Sequence, residues 1–96
     1  MEKPYPTSEQ LNKIKKWDIL RDVNGLLDYI QLLWQYDDFF ILKGKNIKRL
    51  ELHTGGWSGN EFIIYALQNN ENLFWPLYWE KSIRGGHYYF KIKPIK

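Results

Sequence analysis

At 96 residues the chain has enough material for one hydrophobic core and too little for two, so residues 1–96 are expected to form a single domain. Its 44% hydrophobic and 26% charged residues exclude fibrous, linker and disordered classes, and the 18% aromatic content is the unusual feature. The lack of cysteine excludes disulfides and Cys-ligated metal centres and favours a cytoplasmic location, while a net charge of +3 from 14 basic and 11 acidic interspersed residues does not by itself name a nucleic-acid partner.

In chain order, Met1 to Thr7 carries charge and two prolines where a leader would need an apolar run. No stretch approaches the ~18 apolar residues of a membrane span, so no membrane association is expected. Thr7 and Gln10 have the spacing of a capping box, which predicts a first helix over about Ser8 to Trp17. Asp22 can cap a second helix, Val23 to Gln35, whose apolar stripe is Leu26, Leu27, Ile30, Leu33 and Trp34. From Phe39 the period shortens: Phe39 to Leu42, a turn at Gly44-Lys45-Asn46, and Ile47 to Thr54 read as a hairpin. In its second strand Leu50 and Leu52 face the core, with Arg49, Glu51 and His53 on the polar side. Asn60 to Gln68 reads as a third helix with Phe62, Ile63 and Ala66 buried, ended by Asn69-Asn70. A second hairpin, Leu73 to Ser82 and His87 to Lys93, closes around Arg84-Gly85-Gly86. Its expected register sets Trp79 against Phe90 and Leu77 against Ile92, with Tyr78, Glu80, Tyr89 and Lys91 sharing the opposite face and Trp75 and Trp79 on the core side.

The expected fold class is α+β, with element order α-α-β-β-α-β-β and helices packed on one face of a four-stranded, mainly antiparallel sheet. Pro76, which lacks an N–H, assigns the third strand to an edge and gives the strand order 1-2-4-3, with a right-handed crossover through the third helix. Tracing the chain direction places both glycine-rich loops at the same end of the sheet.

The first loop, His53-Thr54-Gly55-Gly56-Trp57-Ser58-Gly59-Asn60, runs into a helix N-terminus, whose unpaired N–H groups and positive dipole end suit an anion. It lacks the lysine and spacing of a P-loop and is not a G-x-G-x-x-G fingerprint. The alternative is that Gly55, Gly56 and Gly59 only turn the chain, with Ser58 or Asn60 as N-cap. In the second loop, Ser82 to His87, Arg84 offers a charged fork beside Gly85 and Gly86. Trp57 has no core stripe to join and suits stacking or an interface, as does Tyr89 from its strand parity. The ligand-binding set is therefore His53, Thr54, Gly55, Gly56, Trp57, Ser58, Gly59, Asn60, Ser82, Arg84, Gly85, Gly86, His87 and Tyr89.

His53 and His87 could act as general acid and base on a phosphodiester, but no H-x-T or H-x-S tandem and no paired carboxylates accompany them, so no catalytic residue is assigned. Two histidines with Glu51 or Glu80 have no enforced metal-ligand spacing, so neither metal nor cofactor is expected.

The run Leu50-Glu51-Leu52-His53-Thr54-Gly55-Gly56-Trp57-Ser58-Gly59-Asn60-Glu61, followed by Trp79, Ser82 and Arg84-Gly85-Gly86-His87-Tyr88-Tyr89-Phe90, resembles a family of short uncharacterised proteins of bacteriophages and prophages. The likeness is densest between Ile47 and Phe90. It implies a phage accessory protein in the bacterial cytoplasm, a class that often counters host defence by sequestering a nucleotide signal or blocking a defence protein. The function expected is non-catalytic binding of a small anionic, nucleotide-type ligand at the converging loops. The alternatives are a protein-interaction inhibitor or adaptor using the same aromatic end, which could engage a host defence protein, and single-strand nucleic-acid binding on the polar sheet face through Arg49, Lys91 and Tyr89. Exposed rings would also assist formation of a homo-oligomer.

Overall fold

The computed structural model describes residues 3–94. Thr7 opens α1 (Ser8–Lys16) with the expected reciprocal capping box: its hydroxyl accepts from the Gln10 amide at 3.1 Å, and the Gln10 side chain accepts from the Thr7 amide at 2.8 Å. The next helix, α2 (Ile19–Leu33), starts earlier than the sequence suggests because Asp18 caps the Leu20 amide. Its first turn is broken at Asp22 (φ −157°, ψ 72°), whose carboxylate accepts from the Gly25 amide at 2.8 Å. Asp22 is thus a cap inside a kinked helix, and regular helix resumes at Val23 as expected. Leu26, Leu27, Ile30 and Trp34 are buried, and the helix ends at Leu33, two residues short of the expected end, with Trp34 as its extended C-cap.

After a 3-10 turn at Asp37–Phe39, β1 (Phe40–Gly44) and β2 (Lys48–His53) pair antiparallel, Phe40 opposite Leu52 and Lys43 opposite Arg49. Leu50 and Leu52 are buried, as the alternation requires. The third helix, α3 (Ser58–Gln68), buries Ile63, Ile64, Ala66 and Leu67. Phe62 departs from expectation: it is 46% exposed and packs edge-on against Tyr5. The stripe is rotated by one residue because Gly59 and Asn60 also face inward, which fixes the helix phase.

The largest departure lies between Leu73 and Tyr78. In place of a strand the chain forms a short helix, α4 (Phe74–Tyr78), preceded by Leu73 at φ +65°. The helical turn brings Phe74 and Tyr78, four residues apart, into the core together with their rings 5.2 Å apart. Burying two such side chains stabilises by about 1.5–3 kcal/mol each. A strand would have pointed them at the polar face. Pro76 sits in the first helical turn, where its missing N–H has no intrahelical partner to lose. The Leu77–Ile92 pairing is accordingly not formed, and Tyr78 belongs to the core rather than to the polar face. The turn before α4 is pinned from a distance: the buried Asn70 side chain donates to the carbonyls of Ile14 (2.8 Å) and Trp17 (3.2 Å), and the Glu71 amide donates to Lys15 (2.8 Å).

The final hairpin joins β3 (Trp79–Ile83) to β4 (His87–Ile92), with Trp79 opposite Phe90 as expected and an irregularity between Trp79 and Lys81. The sheet order is β1-β2-β4-β3, all neighbours antiparallel, with β3 at an edge as foreseen although Pro76 is not in it. Trp75 is half-buried, whereas Trp79 is 42% exposed and stacks on Trp75 rather than entering the core. One face of the sheet is packed by the core residues of α1–α4. By strand parity the other carries Ile41, Lys43, Arg49, Glu51, His53, His87, Tyr89 and Lys91. Among the described residues no helix is long and apolar enough to cross a membrane.

Candidate functional site

His53 and His87 are register partners at the end of the β2–β4 ladder, so the two loops leave the sheet side by side. The first contact beyond the ladder joins them: the Thr54 amide donates to the Gly86 carbonyl at 2.9 Å. The chain tracing that puts both loops at one end of the sheet therefore holds.

The loops are built by close packing, and each glycine has its own reason. Gly86 (φ +84°) leaves its β-carbon space to the Thr54 hydroxyl, and Gly59 leaves its own to the Trp57 indole. Gly55 (φ +63°) lies against the rings of Phe39 and Tyr36. Only Gly56 (φ +77°), among the glycines of the first loop, would point a side chain into open space. Asn60 is fully buried and joins three segments: its carbonyl oxygen accepts from the Gln35 amide at 2.9 Å, and its amide donates to the carbonyls of Gln35 and Thr54, each at 3.1 Å. Thr54 is likewise buried, so Thr54 and Asn60 shape the first loop from behind while Gly55, Gly56 and Ser58 form its exposed rim. Neither Ser58 nor Asn60 is the N-cap of α3. Trp57 holds that position, and no side chain caps the helix. Its indole lies half-buried over Gly59, with Tyr5 edge-on at 5.1 Å.

Of the second loop, Arg84 and Gly85 are exposed and Gly86 is half-buried. Ser82 stands opposite Tyr88, on the other side of the sheet from His87, and its hydroxyl accepts from the Trp79 indole at 2.8 Å. The structure thus brings twelve of the expected residues around one end and leaves Ser82 outside it. Tyr89 lies further down the open face, its ring 6.0 Å from His53 and capped by the Lys81 ammonium at 5.0 Å.

The histidine rings touch, with Nδ1 of His53 2.7 Å from Nδ1 of His87. Glu51 Oε1 is 3.4 Å from the opposite nitrogen of His53. Below them Arg49, Glu51, Glu80, Lys81 and Tyr89 line a cleft of about 260 Å³. Arg49 pairs with Glu80 across it at 3.4 Å, an exposed contact of small energetic value. Among the described residues no group of three or more His, Asp or Glu is placed to hold a metal ion.

Sequence reasoning missed Phe39 and Tyr36, which wall the first loop, and Lys81, which covers Tyr89. It also missed Tyr5, whose Pro4-Tyr5-Pro6 setting was the available signal for an extended arm. No protein-family model, curated protein or solved structure matches the chain.

Proposed function

We propose that the protein is a non-catalytic binding protein that holds a small anionic, nucleotide-type ligand where the two glycine-rich loops meet. The observation that carries this reading is the junction of the loops by the Thr54–Gly86 hydrogen bond and the His53–His87 contact. It supports a single site that draws on the uncapped start of α3 and the exposed Arg84 guanidinium. Tyr89 is the ring to receive a base, with the Lys81 ammonium displaced from it, because the Trp57 indole is engaged against Gly59 and Tyr5. The resemblance supports placing this activity in a phage accessory protein acting against host defence in the bacterial cytoplasm.

Thermal unfolding with a panel of cyclic and linear nucleotides tests it. A ligand at 100 times its dissociation constant stabilises by about 3 kcal/mol, and Arg84→Ala or Tyr89→Ala reduces the effect. Failure of every nucleotide to stabilise the protein overturns the reading.

A second reading, an inhibitor or adaptor of a host defence protein, draws on the exposed rings of Tyr5 and Phe62, which pack edge-on, with Tyr5 in turn against Trp57. A partner captured by the wild type and lost on Phe62→Ser would favour it. Self-association would have the exposed β3 edge, which begins at Trp79 and follows Leu77, available to it.

A further inference from the structure

The histidine pair has a proton count that its geometry limits. Across the 2.7 Å between the two Nδ1 atoms, two N–H groups cannot point at each other and two bare lone pairs repel. One proton therefore lies between the rings. The Glu51 carboxylate, 3.4 Å from Nε2 of His53, favours a hydrogen on that nitrogen. In the neutral pair, then, His53 accepts at Nδ1, His87 donates from Nδ1, and the nitrogen left bare is Nε2 of His87. That atom lies on the Gly85 side, 3.3 Å from where a β-carbon of Gly85 would stand.

One further proton leaves the shared hydrogen in place and fills His87 Nε2. A second would set two N–H groups face to face and break the contact. The surroundings are consistent with a single added charge. From β2 the pair meets Glu51, from β4 the Tyr89 ring, from β3 the apolar Ile83 opposite His87, and from the 3-10 turn Phe39; the Lys81 ammonium is held over Tyr89, and Arg84 is exposed in the adjoining turn.

We propose that His87 Nε2 is an oxyanion contact of the loop site, and that a phosphate- or sulfate-type oxygen binds there with uptake of one proton by the His53–His87 pair, the added charge being offset by Glu51. This rests on the binding function proposed above and adds to it a specific atom and a proton. A ligand that brings its own hydrogen-bond donor would meet the neutral pair without that uptake.

The test is NMR of the imidazole nitrogens and loop amides of the full chain, titrated with sodium sulfate at constant ionic strength between about pH 5.5 and 8.5, where imidazole changes charge. Sulfate does not titrate in this range, so the proton has to go to the protein. In the free protein at the upper end, His53 should carry its hydrogen on Nε2 and His87 on Nδ1. Sulfate binding should be accompanied by uptake of one proton from solvent at His87 Nε2, and its affinity should fall about tenfold per pH unit where the free pair is neutral. The double variant His53→Gln, His87→Gln, which keeps hydrogen-bonding side chains but leaves no imidazole in the pair, should bind with a flat pH dependence. A bare Nε2 on His53, or equal sulfate affinity at both ends of the range, overturns the inference. If a nucleotide binds the loops and sulfate does not, this inference fails and the binding function stands; if neither binds, both fail.

Discussion

Thr54 and Gly86 meet twice: the Thr54 amide donates to the Gly86 carbonyl at 2.9 Å, and the Thr54 hydroxyl fills the space where a β-carbon of residue 86 would stand. Residue 86 also has φ +84°, a conformation that suits glycine. Gly86→Ala therefore introduces both a clash and backbone strain and should destabilise by about 1–3 kcal/mol in urea unfolding. Adding Thr54→Ala removes the clash but not the strain, so the double variant should recover part of the loss. Full additivity of the two single effects would show that the residues do not interact.

Asn60 should be the least replaceable polar residue. Asn60→Ala removes a buried side chain that satisfies the Gln35 amide and the carbonyls of Gln35 and Thr54. Leaving buried backbone groups unpaired costs about 1–3 kcal/mol each, and the Thr54 carbonyl keeps the Trp57 amide as donor, so a loss of about 2–6 kcal/mol is expected from the two Gln35 groups. Ser58→Ala, on the exposed rim of the same loop, should change stability by less than about 0.5 kcal/mol. Similar values for the two in denaturant titrations would contradict the buried bridging role.

Tyr78 has the opposite character. It is 3% exposed, and its hydroxyl has no protein partner among the described residues. Burial raises its pKa above the ordinary value of 10.0. Because the folded value is the higher one, both states are neutral below pH 10 and ionisation costs the fold nothing there. Stability then falls as pH rises from 10 toward the folded value, since the unfolded chain ionises first. Tyr78→Phe should leave stability near neutral pH unchanged or slightly raised, and should unfold at higher pH than the wild type in an alkaline titration. Burial also raises Tyr29, so part of the alkaline transition should remain.

Asp22 supplies a fourth check. With its carboxylate bonded to the Gly25 amide, Asp22→Ala should cost about 1 kcal/mol and lower the helical signal in circular dichroism. An unchanged midpoint would mean that the kink is held by packing alone.

The open sheet face and the meeting of the loops were legible in the sequence. Alternation at Leu50 and Leu52 set the faces of β2, and element order with chain direction set which ends coincide. The site's lining was less legible. Phe39 and Tyr36 precede a strand in an irregular turn, where no period applies, and their contact with Gly55 depends on how that turn lies across the sheet end. Leu73 to Tyr78 misled for a related reason: a six-residue apolar and aromatic run fits a strand and a short helix equally well by pattern.

What the sequence by itself determined is the α+β class, the sheet order and the common end of the two glycine-rich loops, because period, caps and turn residues are local and connectivity limits the rest. Only the tertiary structure decided that Phe74 and Tyr78 share the core, that Trp57 folds back on Gly59, and that the rings of His53 and His87 touch. Each of these depends on packing between segments distant in the chain or on side-chain directions, which local spacing does not encode.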